Sequence, residues 1–93
     1  MNKQYTIEAR RWLDRINGNT YHSVRVKENG ITIGTVNFTY GYGEHYKQTA
    51  LDLLHKAGLA LEFNMLWKFA ESIGRENVQC FVSDTNKRDL KFT

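Results

Sequence analysis

The run Tyr21-His22-Ser23-Val24-Arg25-Val26-Lys27-Glu28-Asn29-Gly30-Ile31-Thr32-Ile33 decides the fold. Over residues 21–27, His22, Val24 and Val26 alternate with polar neighbours, a period of two that places them on one face of a strand. Glu28-Asn29-Gly30 follows, and an Asn-Gly pair accepts the left-handed dihedrals of a tight hairpin. The chain therefore reverses into a strand over 31–40. Its apolar phase passes from Ile31 and Ile33 to Val36, Phe38 and Tyr40 across Gly34, which predicts a β-bulge at that glycine.

Upstream, Tyr5, Ile7, Ala9, Arg11 and Leu13 alternate with Thr6, Glu8, Arg10 and Trp12, and Asn17-Gly18-Asn19 supplies a turn into the run above. Residues 1–40 thus read as a three-stranded meander. From Glu44 the period becomes helical, with Tyr46, Ala50, Leu53, Leu54 and Ala57 on one stripe and Gly58 placed to end the helix. Residues 59–73 are apolar nearly all round and predict a second, buried helix stopped by Gly74. Val78, Cys80 and Val82 then alternate as a fourth strand, which makes Cys80 a small buried hydrophobe. After the polar turn 84–89, Leu90-Lys91-Phe92 reads as a short edge strand. The order β-β-β-α-α-β argues an α+β single domain over 1–93, an antiparallel sheet of three to four strands with both helices on one face.

Ninety-three residues, 41% hydrophobic and 25% charged, make one globular domain with a modest core. The lone Cys80 excludes an internal disulfide, no apolar run approaches a membrane span, and the N-terminus carries no apolar signal segment, so the cytoplasm is the expected location. The net charge of +3 arises in the first half, while the second half balances. On the sheet face turned away from the helices, Arg10, Arg25 and Lys27 are expected to project as a basic surface, whereas burial favours a core position for Trp12 on the same strand face as Arg10.

The strand-to-helix junction Phe38-Thr39-Tyr40-Gly41-Tyr42-Gly43-Glu44-His45-Tyr46 is the candidate site, because it sets four aromatic rings and a histidine around two glycines. Tyr40 completes a strand and Tyr46 lies on the helix stripe, so both also have a packing role. Tyr42 and His45 match no apolar period and are the first surface candidates, with Lys47 beside them. Tyrosine serves a protein interface as a rigid contact with a polar tip and a nucleic acid as a stacking platform. His22, His45, His55 and Cys80 have no metal-ligand spacing, and Gly41-Tyr42-Gly43 lacks the remainder of a phosphate loop. No catalytic residue, metal or cofactor is indicated.

The segments Trp12-Leu13-Asp14-x-x-Asn17-Gly18-Asn19-Thr20-Tyr21-His22-Ser23-Val24-Arg25-Val26, Tyr40-Gly41-Tyr42-Gly43-x-x-Tyr46-x-Gln48-Thr49-Ala50 and Val82-Ser83-Asp84-x-x-Lys87-Arg88-Asp89-Leu90 resemble small uncharacterised proteins of bacteriophages and prophages. The resemblance spans most of the chain. It implies a mobile-element origin more than a mechanism; by analogy of size and source with phage-encoded inhibitors of host defence, such as those of CRISPR effectors, and with no catalytic constellation in the sequence, a non-enzymatic protein that binds a host protein or nucleoprotein is expected. Residues 21–58 are also similar to double-stranded RNA-binding domains, in which a meander precedes a helix with a basic N-terminus. That likeness implies direct nucleic-acid binding as the alternative, with Lys87 and Arg88 as further contacts. The chain departs from it in having no helix before the meander and only Lys47 at the helix start.

Overall fold

Asn29 and Gly30 take φ of 51° and 84°, the pair of left-handed dihedrals whose twist matches that of flanking strands. They join β2 (Asn19–Glu28) to β3 (Ile31–Tyr40), and a longer turn with Gly18 at φ 70° joins β1 (Tyr5–Asp14) to β2. The structure, a computed structural model, describes residues 3–92. After the meander come α1 (His45–Lys56), α2 (Leu66–Ile73), a short 3-10 turn (Arg75–Asn77) and β4 (Val78–Asp84). The fold is α+β, with strand order β3-β2-β1-β4.

The fourth strand departs from the sequence expectation in its direction. β4 pairs parallel to β1, from Tyr5 opposite Val78 to Arg11 opposite Asp84, so the sheet is mixed. The crossover through both helices between β3 and β4 is long enough to return the chain in the same direction, as parallel pairing requires.

The bulge at Gly34 is present. Val26 pairs with Gly34 and Lys27 with Thr32, leaving Ile33 as the extra residue. A Cβ on Gly34 would lie 3.1 Å from Leu53 Cδ2, so the glycine also lets α1 settle onto the sheet. A second irregularity sets Asn37 and Phe38 against Ser23. Phe38 has φ 60°, sparsely populated for a bulky residue, and its amide donates to Ser23 Oγ at 3.0 Å.

One core lies between the sheet and the helices. Tyr5, Ile7 and Ala9 of β1 and Val24 and Val26 of β2 meet Tyr46, Ala50, Leu53 and Leu54 of α1 and Leu66 and Phe69 of α2. Each fully buried Val, Leu, Ile or Phe contributes about 1.5–3 kcal/mol. Gly58 at φ 79° ends α1 as expected, its amide bonding the His55 carbonyl while the Leu59 amide reaches back to Leu54.

The second helix is shorter than its apolar composition predicts. It occupies only Leu66–Ile73, and Ala60 has φ 55° in the irregular segment before it. His55 organises that segment, its Nε2 lying 3.0 Å from both the Ala60 and Phe63 carbonyls. Phe69 is buried, whereas Met65 and Trp67 are exposed. Cys80 is on the helix side by register, opposite Ile7, yet on the edge strand β4 it is exposed instead of buried. Its thiol is nonetheless shielded enough that burial pushes its pKa up.

The opposite face of the sheet is covered in part. Leu90-Lys91-Phe92 forms no edge strand but is tied down on that face, with Leu90 and Phe92 buried. Asn37 holds Phe92 by both backbone groups, donating to its carbonyl at 3.1 Å and accepting from its amide at 2.9 Å. The Arg10 guanidinium donates to the Asp89 and Lys91 carbonyls at 3.1 and 2.8 Å.

Candidate aromatic binding surface

Antiparallel register places Trp12 opposite Tyr21 and Tyr21 opposite Tyr40, which aligns three rings across three strands on the face away from the helices. Trp12 and Tyr21 stack with centroids 5.7 Å apart, and Phe38 leans on Tyr21 at 5.1 Å and on Trp12 at 6.0 Å. Trp12 is thus half-buried in an aromatic row, not in the helix-side core. Tyr21 meets Tyr40 edge-on at 5.9 Å, and Tyr40 meets Tyr42 at 5.3 Å.

The row ends at the sequence-predicted ledge. Tyr40 Oη donates to Tyr42 Oη at 2.8 Å, a bond that raises the Tyr40 pKa above the usual tyrosine range. Both rings are about half exposed, at 51% and 55%. Gly41 is buried between them and its amide donates to the Thr20 carbonyl at 3.0 Å. A Cβ at Gly41 would stand 2.6 Å from His45 Cδ2 and 2.9 Å from His22 Cε1, so this position excludes any side chain. Gly43 has φ 55° with open space around it, and its need for glycine is conformational.

His45 is exposed, as expected, but its ring lies 5.6 Å from that of His22. His22 is buried under α1, its Nε2 2.7 Å from Thr49 Oγ1, while Nδ1 has no hydrogen-bond partner. Burial holds the His22 pKa below the ordinary histidine value; the nearby Gly41 backbone opposes this and His45 reinforces it. The pair therefore sets a buried ring and an exposed one side by side, both within reach of Gly41.

The predicted cations do not join this ledge. Arg25 Nε and Nη2 donate to the two Glu8 carboxylate oxygens at 3.1 and 3.2 Å, and Lys27 Nζ lies 3.2 Å from the same carboxylate. These contacts, that with Arg25 foremost, hold the Glu8 pKa below its usual range. Arg10 and Arg25 also lie 4.3 and 4.6 Å from the Phe92 ring centre. Lys47 pairs with Glu44 at 2.8 Å and lines a groove of about 250 Å³ with Met65, Leu66 and Trp67. Lys87 sits over Trp12 at 5.9 Å, and Arg88 is exposed beside Asp89 at 3.8 Å.

Sequence reasoning missed three contributors. Arg11 Nη1 donates to the Gly43 carbonyl at 3.1 Å and its Nε to Asp84 at 3.2 Å, bracing the glycine loop against the end of β4. An arginine in the core-facing phase of β1 was the available signal. Leu13 and Ile16 are also exposed at this end of the sheet, Ile16 at 94%. Together with Trp12, Gly43 and Asp84 they line a groove of about 680 Å³. Tyr42 approaches the same loop, its hydroxyl 3.5 Å from the Gly18 carbonyl.

The groove's ionisable side chains are Arg11, Asp14, Arg15 and Asp84. Arg11 and Asp84 neutralise each other, and Asp14 is bonded within its own turn by the Ile16 and Asn17 amides and the Asn17 side chain. Among the described residues, no three His, Cys, Asp or Glu side chains are grouped to hold a metal ion, and no helix is long and apolar enough to cross a membrane. No protein family, curated protein or solved structure matches this chain.

Proposed function

We propose that this chain is a non-enzymatic binding domain whose contact centre is the end of the sheet bearing Tyr40, Tyr42, Leu13 and Ile16. The observation that carries the reading is that these side chains are exposed on a scaffold that fixes them: a hydroxyl–hydroxyl bond, a glycine with no room to move and an arginine brace. Rigid tyrosines beside aliphatic residues are what a protein interface uses as anchors, because little side-chain entropy remains to be lost on contact. The similarity to phage and prophage proteins makes a host bacterial protein or nucleoprotein, met in the host cytoplasm, the partner class. A defence effector such as a CRISPR nuclease complex belongs to it.

Charge supports a protein partner over bare nucleic acid. Nucleic-acid affinity scales with the phosphates that cations neutralise, and Arg10, Arg25, Lys27 and Lys47 all have partners within the chain. The alternative rests on Lys87 over Trp12 with Arg88 nearby, a stacking platform with few charges. Affinity capture from a bacterial lysate, with and without nuclease, by the native chain and by Tyr42→Ala tests the reading. Capture that survives nuclease and is lost with Tyr42→Ala is expected. Capture abolished by nuclease selects the nucleic-acid alternative, and capture indifferent to Tyr42 moves the contact centre elsewhere.

A further inference from the structure

The two edges of the sheet are built differently. β3 is broken by two register irregularities, at Ile33–Gly34 and at Asn37–Phe38, which twist an edge away from further pairing. β4 is regular through all seven of its residues and stands at the other end of the strand order. Its sequence, Val78-Gln79-Cys80-Phe81-Val82-Ser83-Asp84, contains no proline, glycine or cation, and its one charge, Asp84, is paired with Arg11. Phe81 is exposed on one face of the strand and Cys80 and Val82 on the other. Among the described residues the usual protections of an edge are absent, and the unpaired backbone calls for another extended strand.

We infer that β4 pairs antiparallel with β4 of a second copy about a two-fold axis, joining two four-stranded sheets into one of eight. Its own composition makes β4 a fitting occupant: uncharged over its first six residues, with Val78, Cys80 and Val82 on one face and Phe81 on the other, and lacking the same partner. A two-fold interface joins one patch to itself, so the register is restricted to pairings centred on one residue. Centring on Cys80 runs Ser83 and Asp84 past the start of the strand, onto the 3-10 turn at Asn77 and Glu76. Centring on Val82 leaves Val78 without a strand neighbour. Centring on Phe81 sets Phe81 against its copy, Cys80 against Val82 and Gln79 against Ser83, with Asp84 opposite Val78. Aromatic and aliphatic cross-strand pairs of this kind are the stabilising ones.

That register positions the chain's single cysteine as a reporter. Cys80 and its copy become diagonal neighbours on one face, roughly 7–8 Å apart, too far for a disulfide but within a short bis-maleimide. Sedimentation velocity of the reduced protein should show one chain passing to two as concentration rises. The bis-maleimide should give a covalent dimer. Phe81→Lys/Val82→Lys, which alters only exposed side chains, should keep the native circular dichroism, remain a single chain and lose the cross-link. Val82→Lys alone should at least halve the cross-linked fraction. A native protein that stays monomeric to about 1 mM overturns the inference and assigns the edge to a foreign strand. A dimer that survives the double substitution, or forms without the Cys80 cross-link, overturns it as well. Tyr42→Ala should leave the dimer intact, so this result stands apart from the fate of the aromatic contact centre.

Discussion

Replacing Phe92 by alanine tests whether the final segment is part of the folded domain. The ring is 7% exposed, and truncating a fully enclosed phenylalanine costs about 3–5 kcal/mol. An irregular segment can relax or detach, which limits the loss to the free energy of docking, so burial accounts for about 2–3 kcal/mol. The two guanidinium contacts at 4.3 and 4.6 Å add about 0.5–1 kcal/mol each. A total of about 3–5 kcal/mol corresponds to a fall in melting temperature of roughly 12–40 °C for a domain of this size. Urea denaturation followed by circular dichroism measures it. Arg10→Ala should destabilise in the same direction, because that side chain carries two carbonyl contacts and not a free surface charge. A Phe92→Ala protein within about 1 kcal/mol of the native chain, less than the transfer free energy of the ring alone, would refute the docked segment.

Three further outcomes follow from the site. Gly41→Ala forces a methyl within 3 Å of both His22 and His45 and should cost about 1–3 kcal/mol by overpacking, whereas Gly18→Ala, with open space, should show only backbone strain in the same melt. Because burial lowers the folded pKa of His22, the unfolded chain takes up a proton that the native ring refuses. Stability should therefore fall as pH drops through about 6.5, the unfolded value, and His22→Gln should flatten that limb of a melting-temperature profile. Tyr42→Ala should weaken a captured partner by about 2 kcal/mol, near thirtyfold, with the melting temperature nearly unchanged in calorimetry; a large loss of stability would make the ring structural.

Most of the meander was legible because its signals are local. Asn29-Gly30 and Gly18 require left-handed dihedrals that few other residues accept, and Gly34 broke the apolar phase where the bulge stands. Counting back from these turns would also have set Trp12 beside Tyr21. The direction of β4 was not legible, since alternation in 78–84 states that a strand exists and not which neighbour it joins. Residues 59–65 looked helical because they are apolar, and the His55 ring that binds two of their carbonyls is a tertiary contact with no sequence period. Exposure of Tyr42 and His45 was foreseeable from parity, whereas the neutralisation of Arg25 and Lys27 depended on Glu8 one strand away. The docking of Phe92 joins residues 55 apart in sequence through Asn37, beyond the reach of any pattern.

Leu90 and Phe92 are buried outside the cluster formed by the sheet and helices, so the sheet carries a packing on each face. Release of the final segment would leave the strand ladder and the helix-side packing in place, a sub-global opening with its own free energy. Amide exchange along β1 and β2 would scarcely register it, because those amides bond to neighbouring strands. The Phe92 amide, held among the described residues by the Asn37 side chain, would exchange at the rate of that opening. The fluorescence of Trp12, with Lys87 over its ring, would report the same event and so separate an opening of that one surface from unfolding of the whole domain.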